Sequence, residues 1–305
     1  MKNKIVIAGG SGSLGSSMIR KYYATETDLI VLTRGKAFQD KNISYVFWDG
    51  KSKGAWTMEL EGANAVINLT GKSVNCRYTE KNKKEIISSR VDSTKIIGDA
   101  IRDCKIPPKV WINAGSAAIF GNGGDIVKTE GSSIGQGFSV EVCKAWEKEF
   151  NEAVTPATRK IFLRIGMVLQ LDKGVLKPFM NMVKLGAGGK IGNGNQYLTW
   201  IHEEDFVNMI EWLIGEESLA GVLHCASPNP VTNSNFMKSL RTVLGMPFGL
   251  PTPSVFVRMG ALFIGTEAEL VLTGRRVVSK VLEERQFPFR FPVLEEALKD
   301  ILAKK

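Results

Sequence analysis

Lys4-Ile5-Val6-Ile7-Ala8-Gly9-Gly10-Ser11-Gly12-Ser13-Leu14-Gly15 joins a short apolar strand to a turn of small residues and then to a helix. The helix is read from its periodicity, because Leu14, Met18, Ile19, Tyr22 and Tyr23 recur at helical spacing and form one apolar face. Two glycine registers fit the turn. Gly10, Gly12 and Gly15 spell G-x-G-x-x-G, and Gly9, Gly12 and Gly15 spell the wider G-x-x-G-x-x-G. Either register lets the backbone approach an anion closely and seats it on the helix N-terminus, where unpaired N–H groups and the macrodipole attract negative charge. In this strand-turn-helix context the pattern is the fingerprint for a dinucleotide diphosphate. Every residue from Gly9 to Gly15 is a candidate contact, Ser11, Ser13 and Leu14 included.

The chain around that unit has the matching texture. Strand-length apolar runs at Lys4 to Ala8, Leu29 to Thr33, Ala65 to Leu69, Val110 to Ala114 and Lys160 to Leu163 alternate with helix-period segments. That order predicts an α/β chain with a Rossmann-like, doubly wound parallel sheet. From Leu185 the composition shifts to a glycine-rich loop, Gly186 to Gly194, and prolines gather at Pro228, Pro230, Pro247, Pro251 and Pro253. The expected division is a dinucleotide-binding domain over residues 1–228 and a smaller mixed lobe on the substrate side over residues 229–305.

The second strand ends in Thr33-Arg34, where NAD-specific proteins place an acid against the ribose hydroxyls. A guanidinium instead makes charge-assisted bonds to a 2′-phosphate, about 1.5–3 kcal/mol each, so the expected cofactor is NADP(H). An arginine that only stacks on the adenine suits either dinucleotide. After the third strand, Asn68-Leu69-Thr70-Gly71 is a small turn for close approach of the central ribose, and Asp49 after Trp48 is placed to meet the adenine.

Bulk properties narrow the classes. With 305 residues and 44% hydrophobic side chains, the chain can bury a full core. A formal charge of +9 favours anionic small molecules but is spread over the whole chain. The one dense basic run, Lys81, Lys83 and Lys84, sits between Glu80 and Glu85 and reads as a solvated helix face, so no nucleic-acid partner is expected. Cys76, Cys104, Cys143 and Cys225 lie far apart, with no Cys-x-x-Cys pair and only two histidines. That argues against a metal centre or a disulfide framework and for the reducing cytoplasm. Met1 to Gly10 lacks the layout of a signal peptide, and Val255 to Gly265 is too short for a bilayer and carries Arg258, so no membrane association is expected.

Two further motifs extend the pattern: Ser116-Ala117-Ala118-Ile119-Phe120-Gly121 at a strand end, and Trp200-Ile201-His202-Glu203-Glu204-Asp205 ahead of a helix. With the glycine fingerprint and Asn68 to Gly71, they make the chain resemble the extended short-chain dehydrogenase/reductases, the NAD-dependent epimerase/dehydratase group. Within that group, Ser88-Ser89-Arg90, Glu141 to Glu147, Ala226 to Asn233 and Leu272 to Val277 resemble the YfcH-like epimerase family proteins, whose C-terminal part is a domain of unknown function.

The resemblance implies that Ser116 polarises a substrate carbonyl or hydroxyl beside the nicotinamide; a simple turn serine is the other reading. It also implies Tyr-x-x-x-Lys on the following helix, the lysine lowering the tyrosine pKa for proton exchange. Aligned on Trp146-Glu147, those two positions hold Ser139 and Cys143. No such pair exists elsewhere, because the residues four after Tyr22, Tyr23, Tyr45, Tyr78 and Tyr197 are Glu26, Thr27, Asp49, Asn82 and Ile201. Losing a positioned acid/base costs about 10²–10⁴ in rate.

Candidate substitutes are Cys143, Lys144 and Glu141 on that helix, and Tyr78 from the loop after the third strand. Cys143 takes the lysine position, with a small apolar filler as the competing reading. Lys144 lies about 100° further round the helix, toward solvent. Arg90 reads as preceding a helical segment, where it either holds cofactor or a substrate carboxylate or phosphate, or closes a structural ion pair. His202 reads as a structural contact at a helix start. Arg275, Arg276 and Lys280 have helix-like spacing and either meet an anionic substrate or are solvated. The expectation is an NADP(H)-dependent oxidoreductase or epimerase-like protein acting on a small molecule, an anionic one among the candidates. The alternative is a non-catalytic NADP(H)-binding regulatory or interaction module, which the missing Tyr-Lys pair supports.

Overall fold

The computed structural model of the chain describes residues 3–171 and 173–304. β1 (Lys4–Ala8) runs through the glycine turn into α1 (Ser13–Tyr22), followed by β2 (Asp28–Thr33), β3 (Phe38–Asp40) and β4 (Ile43–Phe47). Next come β5 (Ala65–Asn68), α2 (Glu80–Asp103), β6 (Val110–Ser116), β7 (Val127–Lys128), α3 (Phe138–Glu152) and β8 (Arg159–Ile165). β9 (Met167–Leu169), α4 (Leu176–Lys184), β10 (Tyr197–Leu198) and β11 (Trp200–His202) leave the main layer, and α5 (Glu203–Gly215) and β12 (Gly221–Cys225) return to it. The remainder is β13 (Val231–Thr232), α6 (Asn233–Val243), α7 (Ser254–Ile264), α8 (Glu269–Leu272), β14 (Arg276–Val277), α9 (Lys280–Glu284) and α10 (Leu294–Ala303).

Eight strands pair in the order β12-β8-β6-β5-β1-β2-β4-β3, and only the β3 edge runs antiparallel. This is the Rossmann-like doubly wound sheet that the alternating pattern predicts. Val6, Ile7, Leu29, Val31, Val66 and Ile67 are all shut off from solvent, because helices cover both faces of a parallel sheet. The chain winds outward from β1 in both directions, to β2 and then to β5, so a crevice opens above the carboxyl ends of the neighbours β1 and β5, where such sheets bind ligands.

A second core lies beside the first, built from Leu176, Phe179 and Val183 of α4, Trp200, Phe236 and Leu240 of α6, and Leu298 and Ile301 of α10. It therefore draws on both sides of residue 228. Phe206 and Ile210 of α5, Leu282 of α9 and Phe287 pack instead into the first core. The chain crosses between the two cores several times, which fixes the walls of the space between them.

Candidate functional site

The glycine turn has the shape its residues require. Gly9 has φ +79°, and a Cβ there would lie 2.9 Å from the Leu69 carbonyl group, so both conformation and space demand glycine. A Cβ on Gly15 would lie 2.4 Å from Gly10 Cα, so Gly15 lets α1 pack directly on the turn. Gly12 caps α1 without a side-chain bond, and no acidic residue occupies the first turn. The leading N–H groups are thus left for an anion from outside. Ser11 and Gly12 are exposed. The Ser13 side chain is committed elsewhere: its hydroxyl bonds Gln170, whose amide donates to the Ser13 carbonyl at 3.1 Å and to Ser17 Oγ at 2.7 Å. That tie holds the segment after β9 against α1.

At the end of β2, Thr33 Oγ1 accepts the Gly35 N–H at 3.1 Å and tightens the turn that presents Arg34. Arg34 is exposed and has no protein partner among the described residues. Asp49 differs from its expected role. It accepts the Lys51 and Ser52 amides at 2.8 Å each and the Ser52 hydroxyl, and these bonds, the Ser52 hydroxyl foremost, pull its carboxyl down to about 2. Its carboxylate closes its own turn. Asn68 is also turned away from the crevice, being fully buried. Its amide donates to Asn113 Oδ1 at 2.8 Å, and its carbonyl accepts the Thr70 N–H at 3.0 Å. Asn68 shapes the turn, while Leu69, Thr70 and Gly71 line the space beside it. The Thr70 hydroxyl there is buried without a partner.

That space is a cavity of about 340 Å³ above the carboxyl ends of β5, β6 and β8, closed on its far side by α3 and by Glu269, Leu270, Thr273 and Arg275. Ser116, Ser139, Cys143, Tyr78 and Arg90 all line it. Ser116 Oγ accepts the Ala118 N–H at 3.1 Å and so caps a single 3₁₀ turn, Ala117–Phe120. This leaves its O–H free to donate into the cavity. The Cys143 thiol is buried, and burial pushes it up to about 11 although Arg90 and Arg275 oppose the shift. It is a neutral thiol near pH 7. Burial likewise raises the Tyr78 phenol above the usual tyrosine value, with Ser139 easing the shift. Lys144 and Glu141 are exposed and do not line the cavity, so the structure removes Lys144 from the candidate proton-transfer groups. On a 3.6-residue helix, one step from the inward-facing Cys143 turns Lys144 outward.

Three arginines depart from their sequence-predicted settings. Arg90 lies within α2 rather than ahead of a helix. Its Nη1 donates to the Lys72 carbonyl at 3.0 Å and the Ile86 carbonyl at 2.9 Å, and its guanidinium sits 5.1 Å from the centroid of the Trp146 ring. A Cβ on Gly71 would come within 3.0 Å of this guanidinium, so Gly71 leaves it room. Arg275 and Arg276 are not helical: Arg276 begins β14, and the two side chains part, Arg275 into the cavity and Arg276 over Tyr197 at 5.1 Å. Lys280 is exposed and pairs with Glu284.

His202 is fully buried outside the cavity. Its Nδ1 accepts the Glu204 N–H at 3.0 Å to cap α5, its other nitrogen lies 3.2 Å from Asp300, and its ring packs on Phe291. Sequence reasoning missed Glu269, the one carboxylate of the cavity wall among the described residues, because it arrives from α8 and no local pattern marks it. Among the described residues no helix is long and apolar enough to cross a membrane, and no cluster of three metal-ligating side chains occurs. All four cysteines are free.

Residues 5–222 match the model of the NAD dependent epimerase/dehydratase family, and residues 252–301 match a domain of unknown function, DUF1731. The epimerase family protein YfhF of Bacillus subtilis is 32% identical over 304 residues, spanning 99% of this chain and 98% of that one. The chloroplastic epimerase family protein SDR39U1 homolog of Arabidopsis thaliana is 29% identical, spanning 98% and 86%. The crystal structure of human epimerase family protein SDR39U1 (isoform 2) with NADPH aligns with a TM-score of 0.87 at 25% identity, over 99% of this chain and 100% of that one. On this agreement of sequence along its whole length with the fold, the chain belongs to the NAD dependent epimerase/dehydratase family.

Proposed function

We propose that the chain is an NADP(H)-dependent oxidoreductase or epimerase-like enzyme that acts on a small molecule in the cavity above β5, β6 and β8. The observation that carries this reading is the free Ser116 hydroxyl, facing a partly open cavity that adjoins a glycine turn shaped for a diphosphate. The residues fit the cofactor. With Gly12 tied to the Gly9 carbonyl, the first turn of α1 is left with bare amides, and the unpaired Arg34 meets the 2′-phosphate that distinguishes NADP(H) from NAD(H). The NADPH in the human relative supports the same choice.

When bound, NADP(H) supplies or accepts hydride. Ser116 donates a hydrogen bond to the substrate oxygen and holds it in place. Tyr78 holds the proton: burial keeps the phenol protonated near pH 7, so it is an acid that gives its proton as negative charge grows on that oxygen. Leu14, Leu69, Val142 and Trp146 make the apolar part of the wall and limit water. With four unpaired cysteines, the cytoplasm is the compartment we assign, and neither nucleic acid nor membrane enters this reading.

One observation favours a second reading. Ser139 and Cys143 occupy the positions of the tyrosine and lysine, as in an NADP(H)-binding module that recognises a regulatory ligand without turnover. A screen of NADPH oxidation against small aldehydes, ketones and nucleotide sugars separates the two. The enzyme reading expects turnover with at least one compound, falling about 10²-fold or more in Ser116→Ala and about 10²–10⁴-fold in Tyr78→Phe. Tight NADPH binding with no turnover of any compound establishes the module instead.

A further inference from the structure

Arg90 and Arg275 both line the cavity, one from α2 and the other from the segment between α8 and β14. Neither forms a salt bridge within 4 Å among the described residues. Arg90 spends only Nη1, on two backbone carbonyls. Arg275 has one long contact, from Nη2 to Thr273 Oγ1 at 3.4 Å, and its Nε is buried without any acceptor. The single carboxylate of the wall among the described residues, Glu269, is the acceptor for the Ser139 hydroxyl at 3.5 Å; it forms no salt bridge with either arginine and acts on Arg275 only at longer range. Among the described residues the cavity thus holds two guanidiniums against one acid.

A guanidinium stays protonated in a protein, so burial cannot be relieved by losing the charge. Burial disfavours both cations here, lowering both from the ordinary arginine value. A poorly compensated buried charge is unfavourable, and with Glu269 acting only on Arg275 and at a distance, an anion that enters the cavity supplies the rest of the compensation. The donors left over are planar N–H edges, which match the oxygens of a carboxylate or a phosphate. The cofactor's own phosphates lie elsewhere. Its diphosphate belongs to the turn after β1, and Arg34 ends β2, three strand spacings, or about 14 Å, from Ser116 at the end of β6.

We infer that the substrate carries a carboxylate or phosphate group and that Arg275, together with Arg90, grips that group beside Ser116. The grip is made only when both lobes contribute, so the anion also holds the second lobe against the sheet ends. This rests on reading the cavity as the substrate site.

The test uses the full chain with oxalate and inorganic phosphate as probes and acetamide as the neutral control, followed by calorimetry and by the Trp146 fluorescence that stacking on Arg90 makes sensitive. Saturable binding of oxalate or phosphate is expected, at least tenfold weaker in Arg275→Met, with acetamide silent and NADPH affinity within twofold of wild type. Preference for oxalate assigns a carboxylate, and preference for phosphate a phosphoryl group. Arg275→Gln is the companion variant should the methionine protein fail to fold, judged by near-ultraviolet circular dichroism. Absence of saturable anion binding in wild type, or equal binding in both variants, overturns the inference. Failure of NADPH to bind wild type defeats the enzyme reading instead and leaves the anion result standing on its own.

Discussion

The Cys143 thiol points at the backbone carbonyl of Ser116, 3.8 Å away, from the helix position where the family resemblance implies a lysine. It is 3% exposed and its pKa is pushed up to about 11, first by burial and against the pull of Arg90 and Arg275. A thiolate, the reactive form, is therefore scarce near neutrality. Peptide mapping after iodoacetamide treatment at about pH 7 is expected to show Cys76 modified and Cys143 and Cys225 untouched until denaturant is added. Rapid labelling of Cys143 in the folded chain contradicts the packing described.

Arg34 stands unpaired at the tip of β2, and its value is electrostatic. Arg34→Glu replaces an attraction for the 2′-phosphate by a repulsion. Loss of charge-assisted bonds at about 1.5–3 kcal/mol each weakens NADPH binding by at least about tenfold while NADH binding holds or improves. Parallel calorimetric titrations with the two dinucleotides measure this. Unchanged NADPH affinity removes Arg34 from the site.

Beneath the cavity, Arg164 and Glu147 form a two-bond pair at 2.9 and 3.1 Å, with side chains 6% and 14% exposed. Arg164 also donates to the Glu130 carbonyl, and the Glu130 carboxylate receives the His224 N–H and the Ser279 hydroxyl, which ties β8, β12 and the start of α9 together. Arg164→Met strands a buried carboxylate, and a loss of about 3–5 kcal/mol is expected. Urea unfolding of the variant is the measurement, and a change below about 1 kcal/mol refutes a structural role for the pair.

Acidification bears on the two histidines. Burial lowers the pKa of His202 and His224 in the folded chain, outweighing the carboxylates of Asp300 and Glu130 that pull the other way. The unfolded chain takes up its protons near the ordinary value of about 6.5, before the folded chain does, so the unfolded state binds more protons and stability falls as pH drops below that point. The urea midpoint is expected to be flat above about pH 7 and to decline toward about pH 5. His202→Asn keeps a capping side chain at the start of α5 and should show a shallower decline. A midpoint that rises on acidification reverses the sign and excludes this account.

The legible parts of the molecule were those where chemistry and backbone lie close together in the chain. Lys4 to Gly15 carries strand, turn and helix start within twelve residues, so the phosphate seat needed no distant partner to be read, and Arg34 comes one strand later. Helical periodicity also places Cys143 inward and Lys144 outward. β4 and β12 escaped because Ile43-Ser44-Tyr45-Val46-Phe47 and Gly221-Val222-Leu223-His224-Cys225 lie beyond the long apolar runs, and only pairing with β2 and β8 makes them strands of the sheet. The spacing of Arg275 and Arg276 suggested a helix, but pairing of β14 with β7 holds the segment extended and sends the two guanidiniums to different surroundings.

By itself, then, the order of residues decided the doubly wound sheet, the diphosphate turn and the absence of a Tyr-x-x-x-Lys pair, since each is written in local pattern. Tertiary structure decided what the cavity is made of. Arg90 becomes an anion donor because Gly71 leaves it room and Trp146 supports its face, and Arg275 and Glu269 reach the same cavity from far along the chain. Spacing in sequence carries no information about groups that meet only when two cores pack together, and burial, which shifts the pKa values of Tyr78, Cys143 and both arginines, exists only once they have.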